Sequence, residues 1–288
     1  MSQDDYPPPG CGFSSVSGLA EIGFAVSDGR TRLAHLYERN PLRVLFPVAP
    51  VDDLPTAVLV TTSGGLVAGD RIEVAVRTGK GAAAHVTGSA AEKIYRSTGA
   101  TTRIEQAFVI EDDGWLEFLP PETILFDRAR LRRTTRVDLR RNGGLLGGGM
   151  FVFGRIAMGE RFRAGLLHEG WEVYRDGALL WGDALHVEDD GAAIMDHPAC
   201  FAGAEACATL VFAPCDGEPR LFLEAARASQ ERCAAEGLRA GVTVVNGLLV
   251  ARWLGDAMKL RRGYAELACH LRVEAMGLPP RLPRLWHI

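Results

Sequence analysis

The sequence predicts a mainly β protein, a large β-sheet fold with two α-helices near its C-terminal end. Three observations carry this. Apolar residues alternate with polar ones at period two through most of the chain. Turn signals recur at short spacing from about residue 18 to about residue 215. Only towards the end does the apolar spacing change to steps of three and four.

Taken in order, residues 1–15 contain Pro7-Pro8-Pro9-Gly10 and are expected to form a flexible tail. Residues 16–288 are expected to form one domain, since no Pro/Gly/Ser linker divides them and no fixed-period repeat is evident. Ile72, Val74 and Val76 alternate with Arg71, Glu73 and Arg77, the pattern of a half-buried strand. Ile104, Phe108 and Ile110 repeat it, and Asp113-Gly114 then turns the chain into Trp115 to Leu119. Trp171–Arg175, Asp176-Gly177 and Ala178–Trp181 predict a hairpin with a type I′ turn. Val242–Val245, Asn246-Gly247 and Leu248–Trp253 predict another. A helix is expected from about Pro219 to Glu236, stopped by Gly237. The last helix has Asp256 as N-cap and ends at Gly277 and Pro279-Pro280. Its apolar stripe runs through Ala257, Leu260, Tyr264, Leu267, Leu271 and Ala275. That stripe either packs on the sheet or docks a partner.

The chain has 288 residues, 32 basic and 36 acidic, for a formal net charge of −4. Hydrophobic residues make up 47% and charged ones 24%, ordinary globular values that argue against disorder. The mild acidity gives no bulk attraction to nucleic acid or to an anionic membrane. No apolar run approaches the 18 or more residues of a membrane span, and the first residues lack an apolar signal region, so a cytoplasmic location is expected. The six cysteines form no CxxC and are expected as free, buried thiols. The loose run Cys200, Cys207, Cys215 leaves a soft-metal ligand open.

Nucleotide and hydrolase signatures fail. No GxxxxGK[ST] or GxSxG occurs, and Gly143–Gly149 has the wrong spacing for a dinucleotide fingerprint. His168-Glu169 lacks the second histidine of a zinc helix, with Glu172 in its place. His85, His186 and His197 stand alone in sequence. The basic stretch Arg128, Arg130, Arg132, Arg133, Arg136, Arg140, Arg141 has no interleaved aromatic residue. It is expected as a solvated strand face, with a patch for an acidic protein partner as the alternative.

Six blocks in order carry a family resemblance. Gly64-Gly65-Leu66-Val67-Ala68-Gly69-Asp70 resembles the GGLVGGD signature of the urease accessory protein family UreD, also called UreH. Ala91–Ser97 is similar to that family's TKxYRS block, Leu119–Phe126 to LPQETIxF, and Gly154–Glu160 to GRxAxGE. Gly29–Leu33 with Pro41–Val44 resembles its N-terminal pair of strands, and Pro283–Trp286 its PRxW.

The resemblance implies an elongated, coiled β-sheet structure, β-helix-like or sandwich-like, with a few helices. It implies no enzyme but a scaffold that joins UreF and UreG on the apo-urease structural subunits and assists nickel insertion. No tightly bound cofactor is implied; Ni²⁺ would be transient cargo. Nickel-transit candidates are Asp70, His85, Glu92, Glu122 and Glu160, whose oxygens and nitrogen suit a borderline cation. Arg155 and Glu160 are expected as a buried pair. Two departures stand out: Gly149 sits where the family commonly has an acid, and Asn40 where it often has glycine. Asn40 is expected to take the left-handed conformation there. The alternative from another class is a free-standing β-fold hydrolase acting through paired carboxylates.

Overall fold

The computed structural model describes residues 15–287. Apart from Ser15, the expected tail of residues 1–15 lies outside the described residues.

The chain opens with an antiparallel hairpin, β1 (Ser17–Ser27) and β2 (Arg30–Arg39), turned by Asp28 and Gly29 at positive φ. β3 (Leu42–Leu45) and β4 (Thr56–Thr61) pair antiparallel. The chain then winds through β5 (Arg71–Thr78), β6 (Ala83–Gly88), β7 (Glu92–Ile94), β8 (Thr102–Ile110), β9 (Trp115–Phe118), β10 (Thr123–Leu125), β11 (Arg130–Leu139), β12 (Gly144–Phe153) and β13 (Gly165–Arg175). Strands β5, β8, β11 and β13 stack in parallel in one sheet, and β4, β6, β9 and β12 in the other. Each coil crosses between the sheets and returns, as in a β-solenoid. The mainly β, coiled expectation therefore holds.

Antiparallel elements complete both sheets. β14 (Ala178–Asp189) forms a hairpin with β13, and the first sheet has the order β14-β13-β11-β8-β5-β1-β2. A short helix α1 (Gly191–Asp196), capped by Asp190, leads into β15 (Ala206–Ala213). Helix α2 (Leu223–Ala235) follows a 3-10 turn that Pro219 starts, and Gly237 ends the element at positive φ. β16 (Arg239–Val245) and β17 (Leu248–Gly255) form the second expected hairpin. The second sheet has the order β16-β17-β15-β12-β9-β6-β4-β3, with β7 and β10 alongside. Helix α3 (Ala257–Met276) starts where the Asp256 carboxylate accepts from the Lys259 amide and ends at left-handed Gly277.

Both Asp-Gly and Asn-Gly hairpins have positive φ at both turn residues, as a type I′ turn requires. Asp113-Gly114 differs: it is a corner that carries the chain from the first sheet to the second. Asn40 differs too. It is not left-handed; the Asn40-Pro41 bond is cis.

Two cores result. Ile22, Phe24, Val74, Phe108, Phe118 and Phe151 fill the space between the sheets. On the far face of the second sheet, Leu260, Tyr264, Leu267 and Leu271 of α3 pack with Trp253 and Trp286. The helical stripe thus packs on the sheet. The glycine run forms the first half of the central strand β12, and the packing there explains one of its glycines. A Cβ on Gly148 would lie 2.2 Å from the Thr209 carbonyl and 2.6 Å from the Tyr264 hydroxyl, so only glycine fits under α3. Among the described residues no helix is long and apolar enough to cross a membrane.

Candidate functional site

Solenoid register builds the site. His85 of β6 and Glu117 of β9 are one coil apart in sequence and directly opposed in the parallel ladder. Alternation turns both away from the inter-sheet core, under α3 and the C-terminal segment. They are 1% and 0% exposed. His85 Nδ1 lies 2.8 Å from Glu117 Oε2. Trp115 Nε1 donates to Glu117 Oε1 at 3.3 Å, and Arg272 Nε of α3 donates to the same oxygen at 3.0 Å. Arg272 also reaches Asp53 Oδ1 at 2.7 Å and the Pro279 carbonyl at 3.0 Å. Arg281 continues the network to Asp52 at 2.5 Å.

Burial pushes the Glu117 carboxyl up, but the hydrogen bond from His85 and the Arg272 guanidinium outweigh it, leaving the carboxyl below its ordinary value. An ionised carboxylate only accepts, so His85 Nδ1 carries the proton. In the neutral ring Nε2 is then a bare lone pair. That atom is buried and has no hydrogen-bond partner among the described residues. His85 lines a pocket of about 890 Å³ together with Leu45, Val58, Ser89 and Leu282. A carboxylate behind an imidazole is how metal-binding histidines are oriented. One nitrogen does not hold an ion, and among the described residues no three His, Cys, Asp or Glu side chains converge on one.

The pocket wall includes Leu45-Phe46-Pro47-Val48-Ala49-Pro50, which runs on into Val51. Leu45, Phe46, Val48 and Val51 are all exposed, an apolar segment of the kind that marks a contact surface.

A second cavity of about 190 Å³ lies between the sheets, lined by Thr61, Glu92, Gln106, Thr123 and Arg133 among others. Ser89 lines both cavities. Thr61 donates to Glu92 Oε2 at 2.5 Å. Burial raises the Glu92 carboxyl above its ordinary value despite that bond and the nearby Arg133 and Lys93 charges. Arg133 holds Glu169 with two bonds of 2.6 and 3.1 Å, donates to Thr123 at 3.1 Å and stacks over Phe151. The expected solvated face of β11 is thus corrected at one residue: Arg133 points inward and is 5% exposed. A Cβ on Gly149 would lie 2.8 Å from Arg133 Nη2, so this position faces the guanidinium. Here Glu169 neutralises it.

The remaining candidates line neither cavity. Asp70 accepts from the Val16 and Val67 amides at 2.9 and 2.8 Å, closing its glycine-rich turn and anchoring β1. Glu160 accepts from the Asp127 amide at 2.9 Å and pairs with Arg155. The expectation that this pair is buried is corrected: the Arg155 side chain is 48% exposed. Glu122 takes Arg261 on Oε1 at 3.3 Å, while its Oε2 is buried without a partner among the described residues. Arg261 also donates to the Trp286 carbonyl at 2.8 Å, and Trp286 Nε1 to the Leu119 carbonyl at 2.9 Å. The PRxW and LPxET blocks therefore clasp each other. Gly65 does the same for two other blocks: a Cβ there would strike the Tyr95 ring at 2.5 Å.

Cys200, Cys207, Cys215, Cys233 and Cys269 are free. Burial pushes the Cys207 thiol up to about 12 and the Cys215 thiol up to about 11, so neither offers a thiolate at neutral pH. Sequence reasoning missed Glu117, Arg272, Arg133 and Glu169. Glu117 alone carried a sequence signal, a charge inside the otherwise apolar run Trp115–Leu119.

Comparison with known proteins gives one consistent result. The family described as UreD urease accessory protein matches residues 16–287. The chain is 45% identical over 276 residues to a urease accessory protein UreD of Magnetococcus marinus, covering 95% of this chain and 94% of that one. It is 39% identical over 272 residues to that of Azorhizobium caulinodans, covering 93% and 95%. It is 40% identical over 262 residues to that of a Methylobacterium species, covering 91% and 90%.

Proposed function

The chain belongs to the UreD family of urease accessory proteins, and from that premise we propose that it is a non-catalytic scaffold of urease maturation. It assembles with UreF and UreG on the apo-urease structural subunits and assists nickel insertion. The match along residues 16–287 is the observation that carries this reading.

The geometry supports a hand-over role for His85 and Glu92. Each lines a cavity, each has a donor atom suited to a borderline cation, and Ser89 borders both spaces. A carrier that must release its cargo is served by few ligands, with water or a partner supplying the rest. Residence on the chain is therefore brief. The hydrolase alternative lacks support: Glu92, the acid with the raised pKa, lines a cavity of about 190 Å³, below the size of ordinary ligand pockets.

The apolar Leu45–Val51 segment supports the assembly and predicts aggregation of the chain alone. The test is co-expression of the tagged chain with UreF, UreG and the urease subunits. The expected result is one co-purifying complex and poor solubility without UreF. A soluble chain that elutes free of all these proteins would refute the scaffold role.

A further inference from the structure

The solenoid register aligns a row of basic side chains on the open face of the first sheet. Arg71 stands opposite Arg103, Arg103 opposite Arg132, Arg132 opposite His168, and His168 opposite His186. Their neighbours Ile72, Ile104, Leu131 and Leu167 point into the core, so alternation sends this row outward. Strands lie about 4.8 Å apart, so the row spans roughly 19 Å. Helices α2 and α3 pack on the other sheet and leave this face open. Arg71, Arg103 and His186 are exposed, and Arg132 and His168 half-buried.

The ends of the row have counter-charges and the middle does not. Arg71 pairs with Glu73 at 3.1 Å and Glu105 at 3.0 Å. His186 lies 3.4 Å from Glu188, which also holds Arg130. Arg103 and Arg132 have no acidic side chain within 4.0 Å among the described residues. Adjacent like charges on a sheet repel, and no ion pair to Arg103 or Arg132 offsets that among the described residues. The chain is net acidic, so this row is a local feature and not the tail of a basic protein.

We propose that this row is the docking site for an acidic face of a partner protein in the urease-maturation assembly. The proposal rests on the assembly reading above. Arg103 and Arg132 make the central contacts, and His168 adds charge as the partner binds. Burial, with the charges of Arg132 on β11 and His186 on β14, holds the His168 imidazole below its ordinary pKa in the free chain. Partner carboxylates reverse that effect, so binding takes up a proton and strengthens as pH falls towards 6.

The test uses the chain bound to UreF, with affinity for UreG and for apo-urease measured at about 50 and 300 mM salt. Wild type is compared with Arg103→Glu/Arg132→Glu, with Arg103→Lys/Arg132→Lys, and with Arg227→Glu/Arg232→Glu on the exposed face of α2 as a charge-matched control. For one of the two proteins, the reversal is expected to weaken low-salt binding by about tenfold or more and flatten the salt dependence. The lysine pair and the control are expected to stay within about threefold of wild type, with unchanged thermal unfolding in all variants. Reversal without effect on either protein overturns the docking site. Loss in the control to the same extent also overturns it. Equal binding of a duplex oligonucleotide, abolished by the reversal, reassigns the row to nucleic acid. A wild-type chain that binds no partner overturns the assembly reading and this inference together.

Discussion

Replacing Arg272 with methionine removes the guanidinium that pairs with the buried Glu117 and with the half-buried Asp53, which keeps Arg281 at 3.4 Å. Arg272 is 1% exposed, Glu117 0%, and the bonds between them and to Asp53 are 3.0 and 2.7 Å. Methionine keeps much of the volume and none of the charge. Glu117 is then left buried with His85 and Trp115 alone, and a broken buried pair costs about 3–5 kcal/mol. At about 2 °C per kcal/mol for a chain of this size, the midpoint of thermal unfolding falls by about 6–10 °C. Circular dichroism melts with matched urea titrations provide the measurement. The informative variant is Arg272→Met with Glu117→Gln. It removes both charges and leaves an amide oxygen for the His85 proton, so it costs less than Arg272→Met alone. Refutation takes either of two forms: a single substitution worth under about 1 kcal/mol, or a double variant as destabilised as the two singles added together.

Four further outcomes are expected. Glu117 has a lowered folded pKa, so its contribution is present above the ordinary carboxylate range and is lost as pH falls through the folded value; stability drops below about pH 4, and Glu117→Gln flattens that drop in acid-denaturation curves. Glu92 has the opposite sign: its folded pKa is raised, so its ionised form costs stability above the ordinary range, and Glu92→Gln raises the melting midpoint at pH 7 but not at pH 4 while lowering nickel delivery in co-expression. Gly148→Ala forces a Cβ to 2.2 Å from the Thr209 carbonyl and costs more than about 3 kcal/mol, whereas Gly241→Ala, which meets nothing within 4 Å, stays within about 0.5 kcal/mol in the same urea titrations. Trp286→Ala unstacks Tyr264, frees the Leu119 carbonyl and costs about 3–5 kcal/mol, read as a lowered urea midpoint.

Local signals were legible in the sequence because their physics is local. Asp176-Gly177 and Asn246-Gly247 accept positive φ and made their hairpins, and Asp256 and Gly277 bounded α3 as a carboxylate cap and a left-handed stop. Period two marked the strands, but it is silent on which strand lies beside which. Stacking pairs residues about thirty positions apart, as in His85 with Glu117 or Arg103 with Arg132, and no motif spacing reveals that. Arg133 illustrates the second failure. It sits in a basic run, yet alternation on β11 turns it to the core, where Glu169 from the next coil holds it. The exposed Leu45–Val51 segment shows the third: apolar residues left on the surface have the same composition as apolar residues in a core.

The most direct measurement is nickel per active site in urease purified from cells expressing the urease gene set with and without this chain. The account predicts nickel-poor, inactive urease only when the chain is omitted, restored by wild type and less well by His85→Gln. Equal nickel and activity in both strains would contradict the maturation role itself.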